Sequence, residues 1–582
     1  MQIRPSFLFL AALLALGAPA VLGFRAATVA EPVTFEVRLS RAAALEIERL
    51  GLTVPAVGRV FVIVARSEEQ EPRRQVGVTG VPFWGIDVRD FGALSTVTLD
   101  WRDESVTGYP LRSFDQLPPG EYFVQAFLSV YTRFERSDGH TVEMHLNSGA
   151  GQNLWYAPGN AYSEPQRVVL DPDRGGPVEL RLTQVIAPIE PLRDGEVLQQ
   201  GNPRDTEWVK FVKIRSELLS EFWGHDMYIG ANVLVPRGFA ENSDRRYPVI
   251  YMQGHFPGRR APLGFRESAP GGRAARLLYD YWLADESPQV LAVTFREANP
   301  FYDTSYDINS ANMGPSGDAV VRELIPHIER TFRGIGEPWA RVLAGGSTGG
   351  WEALALQVFY PDDFSGTWAW CPDPVDFHYY QIVNIYEDRN AYFTEYEWVS
   401  VERPNSRRPD GNIRSTVRQE NLYELAKGPN SRSGGQWAVW EALFGPVGAD
   451  GYPQPIWDMK TGVIDRAVAE YWREHYDINH YLQQNWATVG PKLHGKIHVA
   501  TGDMDSYYLN EAVYLLQEFL DSATDPPAEA TFEYGWRRPH CFIGYSPTRP
   551  ERDLSYAEFV EVAADHMWNT APPGADLRWW RR

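Results

Sequence analysis

The chain has 582 residues, with Lys+Arg 55 against Asp+Glu 76 and a formal net charge of −21. At roughly 150 residues per domain it is too long for one compact unit. The acidic balance disfavours nucleic acid and anionic membrane as main partners, because both attract cationic surfaces. Only two cysteines occur, Cys371 and Cys541, which excludes a disulfide-dense scaffold, Cys-based zinc fingers and iron–sulfur clusters.

The first segment, MQIRPSFLFLAALLALGAPAVLGF, has a positive start at Arg4, an apolar run from Phe7 to Leu16, and small residues at Ala18 and Ala20. This is the pattern of a signal peptide over 1–23. The run is short for a membrane span, which needs roughly 20 apolar residues. The expectation is an exported chain, periplasmic or extracellular, with no stable membrane span after cleavage. Over 31–187 the pattern has mostly period two: VTFEVRLS, RVFVIVA, FWGIDVRD, STVTLDW, EYFVQAFLSVY, HTVEMHL and VELRLTQV read as strands. Turn clusters such as LPPGEY and DPDRGGP separate them. Short strands with few helical windows predict an all-β, sandwich-like domain. A polar, Pro-containing stretch over 188–205 reads as a linker.

From 206 to 582 strands and helices alternate. YPVIYMQG, QVLAVTF and RVLAGGS are short apolar runs of the kind buried in parallel sheets. DAVVRELIPHIERTF places Val320, Val321, Leu324, Ile325, Ile328 and Phe332 on one helical face. GWEALALQVFY is a nearly all-apolar helix stopped before Pro361, and GTWAWC, KIHVATG and ATFEYGW supply further strands. The pattern predicts a doubly wound, mostly parallel α/β sheet. The aromatic-rich stretch 376–490 is too long for a simple connection and reads as an inserted cap. Its Tyr379, Tyr380, Trp398, Trp437 and Trp440 are candidates for stacking on a substrate ring, or simply for a core.

Gly345-Gly346-Ser347-Thr348-Gly349 fits G-x-S-x-G between a strand and a helix. Such a turn holds the serine in strained geometry, while glycines remove side chains that would clash. Ser347 is therefore the candidate nucleophile, and the N–H of Thr348 a candidate oxyanion donor at a helix N-terminus. In enzymes built on this turn an acid and then a histidine follow the serine. KIHVATGDMDSYYLN offers Asp505 as the acid, with Asp503 and Asp373 as alternatives. His540, in RRPHCFIG, is the candidate base and His566 its rival. A second oxyanion donor is expected from the loop after YPVIYMQ, through the N–H of His255 or Phe256. His255 has no second ligand at metal-binding spacing, so no metal is expected. Cys371 and Cys541 should both lie at the carboxyl edge of the sheet, where a disulfide would pin the base-bearing loop.

YPVIYMQGHFPG, SANMGPSGDAVVRELIPHIERTFR, GGSTGGWEALALQVFYPDDFSG, GDMDSYYLN and RRPHCFIG together resemble the putative-esterase (esterase D / enterochelin-esterase-like) family of the α/β-hydrolases. The resemblance runs over roughly 206–570 and leaves the β-rich N-terminal part uncovered. It implies an α/β-hydrolase fold and a serine esterase, with Ser347 as nucleophile, Asp505 as acid, His540 as base and no cofactor. Many relatives carry His-Gly in the oxyanion loop, whereas this chain has Gly254-His255. The expected substrate is a small-molecule or glycan-linked ester. The rival readings are a serine peptidase of the same fold and a catalytically inactive binding or adhesion protein.

Overall fold

A computed structural model of the chain describes residues 32–93, 95–146, 153–188, 204–255, 261–267 and 272–580. The expected signal peptide and most of the expected linker lie outside the described residues.

The N-terminal region is rich in β structure. Strand Thr34–Leu39 buries Phe35, Val37 and Leu39 in strict alternation. It lies between Pro177–Leu182 and Thr96–Leu99 in a three-stranded sheet. A second, eight-stranded sheet is centred on Ala56–Ala65, which pairs antiparallel with Phe83–Phe91 on one side and Gly120–Glu135 on the other. The two sheets share a core containing Phe35, Val37, Val60, Val62, Trp84, Val124 and Leu180. One helix, Arg41–Arg49, joins that core; Ser40 caps it by accepting from the Ala43 N–H. It interrupts a stretch whose sequence reads mainly as strand.

The run RVFVIVA does not alternate, and the fold explains why. Val60 and Val62 face the shared core, while Phe61 and Ile63 face the opposite way into a second cluster with Phe83, Phe127, Trp155 and Ala426. Ala426 belongs to helix Val417–Lys427, far along the chain. The eight-stranded sheet is therefore apolar on both faces, because a helix of the C-terminal half covers the outer one.

The C-terminal half is organised on another eight-stranded sheet. Its order is Val209–Ser216, Met227–Leu234, Leu291–Arg296, Val249–Gln253, Arg341–Gly346, Gly366–Trp370, Ile497–Gly502, Thr531–Gly535. The first three pair antiparallel and the remaining pairs are parallel. The first two strands were not legible as such in the sequence. Successive residues go to opposite faces: Tyr251 and Leu343 point into one core, Ile250, Val342 and Ala344 into the other. Helices Ile325–Phe332, Thr348–Phe359, Ile478–Leu493 and Asn510–Ser522 supply residues to the first core, and Gly272–Leu283 and Tyr556–Thr570 to the second. The amphipathic run 318–332 is not one regular helix. It widens into a π-helical stretch over Ala319–Leu324 before Ile325–Phe332, where Pro326 has no N–H to continue the ladder. Among the described residues no helix is long and apolar enough to cross a membrane.

Between Gly366–Trp370 and Ile497–Gly502 the chain makes two short hairpins and helices Val417–Lys427, Gln436–Phe444, Arg466–His475 and Ile478–Leu493. Tyr380, Trp437, Trp440, Trp457 and Trp472 form a buried aromatic cluster here, with Tyr380 edge-to-face on Trp437, Trp440 and Trp472 at 5.2–5.3 Å. Most of the aromatics in this stretch therefore close a core. Tyr379 and Trp398 are exposed.

Phe83 joins the two halves: its ring lies edge-on to Trp155 and to Tyr423, both at 5.9 Å. Phe83→Ala should cost about 3–5 kcal/mol, as for other buried aromatic truncations. The expected outcome in urea unfolding is an earlier transition; an unchanged midpoint would show that this contact does not hold the halves together.

Candidate active site

Strand Arg341–Gly346 ends one residue before helix Thr348–Phe359 begins, so Ser347 alone turns the chain. Its backbone sits at φ 61°, ψ −125°, outside the regions L-residues prefer. Such a conformation costs about 1–3 kcal/mol and persists only where its surroundings over-determine it. Here the Ser347 N–H donates to Trp370 O at 3.0 Å, and the Ser347 carbonyl accepts from Gly350 and Trp351 at 2.9 and 3.1 Å. A Cβ on Gly345 would lie 2.2 Å from the Gly349 carbonyl oxygen, and one on Gly349 2.5 Å from that of Gln253. Gly346 is different: the nearest atom to its Cβ would be 3.9 Å away. Two of the motif's glycines thus answer to close backbone approach.

His540 follows the last strand of the sheet. Its Nε2 lies 2.8 Å from Ser347 Oγ and its Nδ1 2.7 Å from Asp505 Oδ2. With the ring proton on Nδ1 donating to Asp505, Nε2 accepts from the serine hydroxyl. Asp505 is wholly buried, and its other oxygen accepts from the N–H groups of Tyr507 (2.8 Å) and Leu509 (3.3 Å). Tyr507 also stands edge-on to the imidazole at 5.0 Å. Burial pulls the His540 pKa down, but the Asp505 carboxylate, with Cys541 adding to it, raises it well above 6.5.

The other candidates lie elsewhere. Asp503 accepts from the Arg537 N–H at 2.5 Å and serves the turn before His540. His566 bonds to the Ser365 carbonyl at 2.8 Å and packs edge-on to Trp368. Asp373 is buried near the serine, where its Oδ2 accepts from Tyr306 OH (2.8 Å), Thr348 Oγ1 (3.0 Å) and Gln436 Nε2 (3.4 Å) rather than from the imidazole. Burial pushes its pKa up to about 6.

Gln253 pairs with Gly345 across the parallel strands, so the loop that continues to His255 emerges beside the serine turn. His255 Nε2 meets Tyr302 OH, and burial lowers the His255 pKa to about 4, with the nearby His540 acting in the same direction. Phe256 lies outside the described residues. Tyr302 OH donates to Gln436 Oε1 at 3.1 Å, and Gln436 Nε2 reaches Tyr306 and Asp373. A buried network therefore runs from His255 through Tyr302, Gln436, Tyr306 and Asp373 to Thr348, joining the two expected oxyanion segments.

Gln436 and Arg407 were not singled out from the sequence. Arg407 donates from Nε to the Asp505 carbonyl at 2.9 Å and from its backbone N–H to Ser506 O at 2.8 Å, with its guanidinium 4.2 Å above the Tyr508 ring. It clamps the acid-bearing loop from a hairpin about a hundred residues upstream. No motif marks either residue, so the chain gave no signal for them.

The bond expected between Cys371 and Cys541 is not made; both are free thiols. Their sulfur atoms and a His540 ring nitrogen lie within 4.8 Å of one another. Burial holds the Cys371 pKa well above its usual value, while Cys371 first, and then His540, lower that of Cys541 to about 5. A second grouping with metal-ligand spacing is Asp376, His378 and Asp477. Both aspartates there cap helical turns, accepting from the N–H groups of His378 and His480.

A cavity of about 880 Å³ opens on Ser347 and His540, with Asp373, Gln381, Trp437 and Trp440 in its walls. A mostly parallel sheet, a strained serine at a strand–helix turn, and an acid and a histidine following it in chain order are the arrangement expected of an α/β-hydrolase. Residues 224–421 match the family model described as "Putative esterase". The resemblance carried by the motifs is thus a resemblance to this family; the matched stretch includes His255 and Ser347 and ends before Asp505 and His540. An endo-1,4-beta-xylanase/feruloyl esterase of Xylanibacter ruminicola is 30% identical over 143 residues, 24% of this chain and 18% of the relative. The matched part thus spans less than a fifth of that relative's length. Among solved structures, a ferulic acid esterase aligns with TM-score 0.32 and 16% identity over 57% of this chain and 92% of its own. An S-formylglutathione hydrolase from Agrobacterium tumefaciens aligns with TM-score 0.31 and 12% identity over 62% and 97%.

The glycine crowding gives a direct test. Gly345→Ala should displace the serine turn, and a misplacement near 1 Å costs roughly a hundredfold in rate. Labelling of Ser347 by a fluorophosphonate should slow accordingly in a folded variant; labelling at the wild-type rate would show that the turn tolerates a side chain there.

Proposed function

We propose that the chain is an exported serine hydrolase that cleaves a carboxylic ester through an acyl-enzyme. One observation carries the reading: the hydrogen-bonded chain from Ser347 Oγ through His540 to the buried Asp505. In the first half-reaction Ser347 Oγ attacks the acyl carbon while His540 Nε2 takes its proton. The imidazolium returns that proton to the departing alcohol, and Asp505 stabilises the charged ring and fixes its tautomer. The Thr348 N–H and an N–H of the 255–256 loop stabilise the tetrahedral oxyanion, each contributing on the order of 10² to 10³ in rate. Water then attacks the acyl-enzyme with His540 again as base. No step calls on a metal or organic cofactor.

The substrate on this reading is a small-molecule or glycan-linked ester. The likeness to an endo-xylanase/feruloyl esterase makes a feruloyl ester the first to try. We read 206–582 as a doubly wound catalytic domain capped by 376–490, reached through a linker over 188–205 from a sandwich-like domain over 31–187. The signal-like segment 1–23 supports export.

Ser347→Ala should reduce 4-nitrophenyl acetate turnover on the order of 10⁴-fold or more; undiminished turnover refutes the assignment. The pH profile gives an independent check. The base must be unprotonated to accept the serine proton, and its folded pKa is raised, so activity is lost as pH falls through a value above 6.5. The acid limb of kcat/KM should therefore lie above pH 6.5, and Asp505→Asn should move it down. A wild-type limb below 6.5 would contradict the ion-paired geometry.

A further inference from the structure

We propose that the N-terminal β region is part of the substrate site, forming a wall that binds a sugar ring of a glycan-linked ester; this rests on the esterase reading above. The cavity that opens on Ser347 and His540 is also lined by Val76, Asn153 and Trp155. All three precede the α/β sheet in the chain and lie outside the stretch matched by the esterase family model.

Trp155 is held rigidly. It sits in the short turn Leu154–Tyr156, where Asn153 caps the turn by accepting from the Trp155 N–H. Its ring packs edge-to-face on Phe61 and Phe127, each at 5.0 Å, and on Phe83 at 5.9 Å. Helix Val417–Lys427 adds Glu420, Tyr423 and Lys427 to the same cavity. That helix is fixed to the N-terminal sheet. Arg59, 1% exposed, donates to the Ala426 carbonyl from Nε (3.2 Å) and Nη2 (3.1 Å). Asp87 bridges Arg59 at 2.6 Å and Arg432 at 2.5 Å, and Tyr423 lies edge-on to Phe83 and Tyr109. The wall is therefore continuous with the catalytic half.

Its chemistry selects the ligand. A short acyl group fills little of about 880 Å³, a volume within the range of sites that enclose drug-sized ligands. Tyr423, half-buried, and the small exposed part of the Trp155 ring (3%) offer apolar surface, while Asn153, Glu420, Glu424 and Lys427 offer donors and acceptors. Burial pushes the Glu420 pKa up to about 7 and draws that of Lys427 down to about 8, against the pull of the neighbouring Glu424 and Glu420 carboxyls, so the amine stands beside carboxyls rather than as an isolated charge. An anion would meet the carboxyl and a cation the amine. A neutral, polyhydroxylated ring meets only favourable partners: aromatic surface for its C–H face and hydrogen bonds for its hydroxyls.

The test compares two esters of one acid, methyl ferulate and a feruloylated arabino-xylo-oligosaccharide, in the wild type, Asn153→Ala and Trp155→Leu. Melting temperatures confirm that the variants are folded, and Asn153 is exposed enough for its replacement to be tolerated. The wild type should prefer the sugar ester. In each variant the ratio of kcat/KM for the sugar ester to that for the methyl ester should fall about tenfold, through KM, as expected for a lost contact near 1.4 kcal/mol. Equal kcat/KM for the two esters in the wild type, or an unchanged ratio in both variants, overturns the sugar wall. Fluorophosphonate labelling of Ser347 without turnover of either ester also removes it while leaving the hydrolase reading standing. Absence of labelling removes both.

Discussion

The close approach of three backbone segments around Ser347 is the constraint on which the rest depends. Gly345, Gly349 and the Gln253 carbonyl come so near one another that side chains are excluded at both glycines. This contact packs the end of one strand, the start of a buried helix and the end of the neighbouring strand into one rim. It keeps the serine at positive φ and brings the His255 loop alongside it. The largely buried strand and helix on either side supply the packing that offsets the strain.

From that rim outward the site is built by hydrogen bonds that cross long sequence distances. His540 and Asp505 arrive from the last two strands of the sheet, and Asp505 is held by backbone N–H groups as well as by the imidazole. Arg407 fastens the loop carrying the acid, and Gln436 joins the networks behind Thr348 and His255. Both come from the stretch between strands Gly366–Trp370 and Ile497–Gly502. That stretch therefore reaches the loops around Ser347 and Asp505 directly.

The N-terminal region is tied to the same assembly by charge and by aromatic packing. Arg59 is buried, and its charge is met by Asp87 and the Ala426 carbonyl rather than by water. A buried guanidinium without such partners would be strongly unfavourable, so the interface constrains how the two halves meet. The ring contacts of Phe83 with Trp155 and Tyr423 then set one wall of the cavity. Specificity and fold stability share these residues.

The chain by itself determined the elements whose physics is local. Period-two alternation marked Thr34–Leu39, short apolar runs marked the parallel strands, and a Gly-rich turn between strand and helix marked Ser347. Chain order also pointed to Asp505 and His540. What tertiary structure alone decided was whatever depends on a partner remote in sequence. Which of Asp505, Asp503 and Asp373 the imidazole meets is one such contact. The thiols of Cys371 and Cys541 are neighbours but unbonded, which spacing does not reveal. Strands Val209–Ser216 and Met227–Leu234, and the roles of Arg407, Gln436 and Trp155, arise from sheet pairing, hydrogen bonds and cavity walls. Those interactions join segments whose local patterns carry no trace of one another.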